Sequence, residues 1–154
     1  MFKGNLILIE HNNELAKLIE RVLNSDQIGK QSRRAHTIDH AFSLVAEMIP
    51  DVIIMDAVLP NMRISETISS ILALAPQSKL VLLTDYDDSR YHKVALANGA
   101  RACLKKTLIG SDLVPLLKQI AETTNYVWHV ADSAESRLAQ SRQNQIAYAS
   151  RTLA

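Results

Sequence analysis

The stretch Asp51-Val-Ile-Ile-Met-Asp-Ala-Val-Leu-Pro60 decides the fold. Val52, Ile53, Ile54 and Met55 are too few for a free-standing helix and too uniformly apolar for a strand with one wet face. They predict a buried central strand of a parallel sheet. Asp56 then stands where that strand emerges. In an open parallel α/β sheet the carboxyl ends of the strands are where sites form. A solvated loop aspartate ahead of Pro60 is the plain alternative, and the other strand ends must decide between the two.

Working outward, Leu6–Ile9 is a second short apolar run, ending at Glu10-His11-Asn12-Asn13, where either asparagine can cap the next helix. In that helix Leu15, Leu18, Ile19, Val22 and Leu23 recur at three- and four-residue spacing and predict one apolar stripe. Lys30 to Ala35 is polar and basic and suits an edge strand, with Arg33 and Arg34 as solubilising gatekeepers. Thr37 or Asp39 starts a second helix carrying Phe42, Val45 and Met48, stopped by Pro50.

Past Pro60 a third helix is predicted over Ile64 to Leu74, with Ile64, Ile68, Ile71 and Leu72 towards the sheet. Leu80–Leu83 is the next buried strand, ending at Thr84 and Asp85, with Tyr86, Asp87 and Asp88 as a turn and cap. A fourth helix, about Ser89 to Asn98, closes on Gly99. Ala102, Cys103 and Leu104 form a fifth strand, ending at Lys105-Lys106. A fifth helix, capped by Asp112, carries Leu113, Leu116, Leu117 and Ile120, with Pro115 in its first turn. Five βα units in succession call for a parallel sheet with right-handed crossovers and helices on both faces.

The 154 residues suffice for one well-cored domain and an extension. We divide them into a domain over 1–124 and a linker or tail over 125–154, with Tyr126-Val127-Trp128 as an apolar patch. Asp132 or Ser133 would begin a tail helix through about Ala149, bearing Leu138, Ile146 and Tyr148. At 47% hydrophobic and 21% charged the composition is that of a globular protein, and no apolar stretch is long enough to cross a bilayer. The N-terminal residues lack the pattern of a secretory signal, and the single cysteine forbids an internal disulfide, so the expectation is a cytoplasmic protein. A net charge of +1 gives no reason to expect direct nucleic-acid or membrane binding.

On such a sheet Glu10 and His11, Asp56, Thr84 and Lys106 converge at one end. Together they supply a carboxylate nucleophile, an acid beside an imidazole, a hydroxyl and a cation, the inventory needed to take up and hold a phosphoryl group. Residues 5 to about 123 resemble the receiver domain of two-component response regulators (CheY-like). The resemblance rests on Leu6-Ile-Leu-Ile-Glu-His, Val52-Ile-Ile-Met-Asp-Ala-Val-Leu-Pro, Leu80-Val-Leu-Leu-Thr-Asp-Tyr-Asp-Asp and Gly99-Ala-Arg-Ala-Cys-Leu-Lys-Lys. It implies a flavodoxin-like five-stranded sheet of order 2-1-3-4-5. It also implies roles: Asp56 as the aspartate phosphorylated by a histidine kinase or phosphotransfer protein, Thr84 as the switch hydroxyl and Lys106 as its lysine. A Mg²⁺ site would use Glu10, Asp56 and the backbone carbonyl of Val58.

Five departures qualify that likeness. His11 replaces one member of the family's acidic pair, which should weaken Mg²⁺ binding, because imidazole suits Zn²⁺, Ni²⁺ or Cu²⁺ better. A capping neighbour is the simpler role for His11; with Glu10 and Asp56 close by, a transition-metal site becomes the alternative. Asp85 stands where the family usually has a small residue, and its charge should oppose both Asp56 and a bound phosphoryl group. Cys103 replaces a frequent aromatic switch residue. Arg63, Ile64 and Thr107 depart from the residues common after the proline and the lysine, and the last also occurs in regulators with helix-turn-helix output domains.

Two principal readings follow. One is a phosphorylatable signalling switch that alters a partner or output surface around the fourth helix and fifth strand, a face that could also support a homodimer, as could the tail helix. The other is a pseudo-receiver, the same fold used as a phosphorylation-independent binding or dimerisation module. A flavodoxin-fold enzyme would need a Gly-rich phosphate loop after the first strand, and none is there. Enzyme activity would be limited to autocatalytic transfer to, and hydrolysis from, Asp56. If the parent protein carries a DNA-binding output domain, that domain lies outside these 154 residues.

Overall fold

The computed structural model describes residues 3–85, 89–122 and 127–128. Its elements alternate as β1 (Asn5–Ile9), α1 (Asn13–Ser25), β2 (Gln31–Ala35), α2 (Ile38–Met48), β3 (Val52–Asp56), α3 (Ile64–Leu74), β4 (Lys79–Thr84), α4 (Ser89–Ala97), β5 (Ala102–Lys105), α5 (Ile109–Glu122) and β6 (Val127–Trp128). The sheet is parallel in the order β2-β1-β3-β4-β5-β6. The 2-1-3-4-5 order and the α/β layering are those the sequence predicts. The sixth strand is an addition: Val127 and Trp128 pair with Ala102 and Cys103, past residue 124.

Side chains of a strand point alternately to opposite faces, and that alternation divides the core in two. Leu6, Leu8, Val52, Ile54, Val81, Leu83 and Leu104 face α1 and α5, where Ala16, Ile19, Leu23, Leu113, Leu117 and Ile120 meet them. Ile7, Ile9, Ile53, Met55, Leu80, Leu82 and Cys103 face α2, α3 and α4. Every residue of β3 is buried, as a strand covered on both faces requires. β2 is the edge strand beside β1, and only Ala35 in it is fully buried.

Local chemistry fixes the helix starts. Asn12, of the two candidate asparagines, caps α1 by accepting from the Glu14 and Leu15 N–H groups at 3.0 and 3.1 Å. Thr37 caps α2 through the His40 N–H. Two readings of helix faces need correction. Leu18 is 38% exposed and Ala16 takes the buried position, because the stripe of α1 is centred on Ala16, Ile19 and Leu23. α5 begins at Ile109, after a 3₁₀ turn over Lys106–Leu108, so Asp112 lies within its first turn and Pro115 lies in its interior. Pro115 there cannot donate to the carbonyl four residues back. At the far end of α5, Lys79 Nζ donates to the Ile120 carbonyl at 2.7 Å, satisfying a terminal acceptor from β4.

Among the described residues no helix is long and apolar enough to cross a membrane. The predicted turn at Tyr86, Asp87 and Asp88 and the tail helix over Asp132 to Ala149 lie outside the described residues.

Candidate functional site

The parallel order carries the ends of β1, β3, β4 and β5 to the same edge of the sheet, and Glu10, Asp56, Thr84 and Lys106 sit there. Asp56 ends β3 and is 1% exposed. Its Oδ1 accepts from the Val58 N–H at 2.9 Å, and its Oδ2 lies 2.9 Å from Lys106 Nζ. A carboxylate removed from water is costly unless paired and hydrogen-bonded. Both conditions are met, so the solvated-loop reading of Asp56 does not hold.

Lys106 also approaches Asp85, whose Oδ2 is 3.3 Å from Nζ. Burial alone would lower the Lys106 pKa; Asp56 and then Asp85 outweigh it and hold the ammonium above its ordinary value. The opposition between Asp85 and Asp56 anticipated from their charges is therefore bridged by one cation. Thr84 is buried at the end of β4, and its Cα pairs with that of Lys105. Cys103 is not at this edge: it is fully buried in the core against α2, α3 and α4.

Glu10 is 0% exposed. Its Oε1 accepts from the Asn12 N–H at 2.9 Å, while its buried Oε2 has no hydrogen-bond partner. Burial pushes the Glu10 carboxyl up to about 7, against the Asn12 N–H, and the neighbouring Asp56 adds to the rise. His11 Nδ1 is 3.4 Å from Glu10 Oε1 on a side chain 46% exposed.

Arg34 is a positioning residue that the sequence reading assigned only to solubility. Its Nε and Nη2 donate to the Glu10 carbonyl at 3.0 and 2.9 Å, while the Glu10 N–H bonds the Ala35 carbonyl. The edge strand thus fixes both backbone groups of Glu10. Parallel pairing of Leu8 with Arg34 creates this contact. Arg33 pairs with Glu47 on the surface.

One ligand atom each from Glu10, His11 and Asp56 lies within 4.8 Å of the others. An orphaned, buried carboxylate oxygen beside a second carboxylate is the environment a divalent cation relieves. The donor set therefore fits a cation.

A sequence model described as the response regulator receiver domain matches residues 6–118. The chain is 24% identical over 125 residues to the transcriptional regulatory protein DegU of Brevibacillus brevis, covering 81% of this chain and 53% of that one. It is 31% identical over 95 residues to the oxygen regulatory protein NreC of Staphylococcus haemolyticus, covering 56% of this chain and 41% of that one. The chain thus spans about half, or less, of the length of these curated relatives. In fold it is similar to a LuxR-family two-component response regulator from Aurantimonas, with a TM-score of 0.77 at 19% identity over 91% of this chain and 98% of the other. It is also similar to a CheY-like receiver domain protein from Methanospirillum hungatei, with a TM-score of 0.70 at 18% identity over 79% and 95%.

Proposed function

The chain belongs to the response regulator receiver family, and from that premise we propose that Asp56 accepts a phosphoryl group from a histidine kinase or phosphotransfer protein. The observation that carries this reading is the buried Asp56 carboxylate, with one oxygen on the Val58 N–H and the other on Lys106 Nζ. In the transfer, an Asp56 oxygen forms a bond to phosphorus as the bond from phosphorus to the donor imidazole nitrogen breaks, and the imidazole leaves with its electron pair. The Val58 N–H orients the nucleophile. Lys106 exchanges its carboxylate partner for the phosphoryl oxygens, and the Thr84 hydroxyl donates to them.

Glu10, Asp56 and the Val58 carbonyl would hold Mg²⁺. The ion, when bound, offsets negative charge as the phosphoryl group arrives. The acyl phosphate adds charge at the strand ends and draws Thr84 and Lys106 towards it, which favours one arrangement of the α4–β5 face over another. That face, or the tail, is where a homodimer or partner would form. Self-catalysed hydrolysis returns Asp56 to its carboxylate. Cytoplasmic location, a receiver over 1–124 and an output domain in the parent complete the reading; the name of the Brevibacillus relative as a transcriptional regulator supports the last.

One observation favours the second reading, a pseudo-receiver. Lys106 is shared between Asp56 and Asp85, so Asp85 competes with an incoming phosphoryl group for the same ammonium. Beryllofluoride, a phosphoryl mimic, separates the two. On the switch reading it shifts the amide resonances of Thr84, Lys106 and α4 in a Mg²⁺-dependent manner, and Asp56→Asn abolishes the shifts. Unchanged spectra in the wild type and in His11→Asp, which restores the second acid, would leave the pseudo-receiver.

A further inference from the structure

From the Glu10–His11–Asp56 cluster we infer that this pocket selects an imidazole-accepting divalent ion, of which Zn²⁺ is the representative, over Mg²⁺, with His11 Nδ1 as its nitrogen ligand. The inference rests on reading Glu10 and Asp56 as metal carboxylates, and phosphoryl transfer is not needed for it.

Three features carry it. The ligand atoms already cluster within 4.8 Å. Ligands on a tetrahedral Zn²⁺ at about 2.0–2.1 Å lie roughly 3.4 Å from one another, so only a modest closure is required. The side chain that must move is His11, which is partly exposed on the turn after β1, whereas both carboxylates are held in place. Glu10 Oε2 is buried and has no hydrogen-bond partner, so one carboxylate oxygen is available to an ion without breaking a bond.

Ligand chemistry then sets the preference. Mg²⁺ demands near-octahedral oxygen ligands, and His11 removes one of them. Imidazole gains little from Mg²⁺ and much from a first-row ion late in the series. Arg34 and Ala35 contribute by fixing the Glu10 backbone, which holds the turn that carries His11.

The test is a titration of the full chain, free of any affinity tag, with ZnCl₂ and separately with MgCl₂. Calorimetry gives the two affinities and ¹⁵N spectra of the imidazoles report direct ligation. Wild type, His11→Ala, His11→Asp and Asp56→Asn are compared. The expected result is a ligation shift at His11 Nδ1, with the ratio of Zn²⁺ to Mg²⁺ affinity falling about tenfold or more in His11→Asp. Asp56→Asn should weaken both ions. Undiminished Zn²⁺ affinity in His11→Ala, or an unshifted His11 ring at saturation, would mean adventitious binding and overturn the inference. Mg²⁺ binding without Zn²⁺ preference would overturn it while leaving the carboxylate site standing. Absence of both ions from wild type and His11→Asp would remove the carboxylate site as well.

Discussion

Lys106 Nζ stands between two carboxylates, 2.9 Å from Asp56 Oδ2 and 3.3 Å from Asp85 Oδ2. The pair is unequal: Asp56 is buried, whereas the Asp85 side chain is 56% exposed. Water screens Asp85, so its hold on the ammonium is the weaker one.

Removing that competitor should favour phosphorylation. Asp85→Ala leaves Lys106 paired with Asp56 alone and takes one negative charge from the approach of a dianionic donor. After solvent screening the gain is about 1 kcal/mol, or roughly fivefold in the rate of modification by a small phosphodonor. A rate equal to or below that of wild type would show that Asp85 does not oppose the reaction.

Stability should depend on pH through Glu10. Its carboxyl is raised from 4.5 to about 7 in the folded chain, chiefly by burial. Between those values the folded state binds more protons than the unfolded one, so stability falls as pH rises through that window. A shift of this size corresponds to about 3 kcal/mol at most. Urea denaturation in the presence of a chelator should show the decline in wild type, and Glu10→Gln should flatten it. An identical slope in the variant would assign the dependence to other groups.

Much of the fold was legible because the strands are short, apolar and bounded by polar residues. Leu6–Ile9, Val52–Met55 and Leu80–Leu83 each end at a candidate site residue, and their odd and even residues divide between the two cores as strand geometry demands. The clustering of the candidate site residues was legible for the same reason, since parallel order alone brings strand ends together. Other features were not. Arg34 reaches the Glu10 carbonyl across 24 residues of chain through the β1–β2 pairing, which composition does not reveal. The bridging role of Lys106 depends on where Asp85 turns after β4. Val127–Trp128 is too short to show a period, and Leu18 shares the spacing of its buried neighbours while lying just off their face.

Gly99 closes α4 with φ +96°, and a Cβ there would stand 3.0 Å from Leu72 Cδ1. Both backbone conformation and space oppose a side chain. Gly99→Ala should therefore lower unfolding free energy by about 1–2 kcal/mol, read from the denaturant midpoint at unchanged slope. A neutral substitution would mean that the turn relaxes without cost.

Cys103 is fully buried in β5 and should behave as an inert core residue. An aromatic thiol reagent should react roughly a hundredfold or more slowly with the native chain than with the chain unfolded in urea. Comparable rates would show that β5 opens readily.

The central claim, that Asp56 is the phosphoryl acceptor, is tested most directly by intact mass after incubation with phosphoramidate and Mg²⁺. The account predicts that wild type gains the mass of one phosphoryl group and that Asp56→Asn gains none. An equal gain in Asp56→Asn, or no gain in either wild type or His11→Asp, would contradict it.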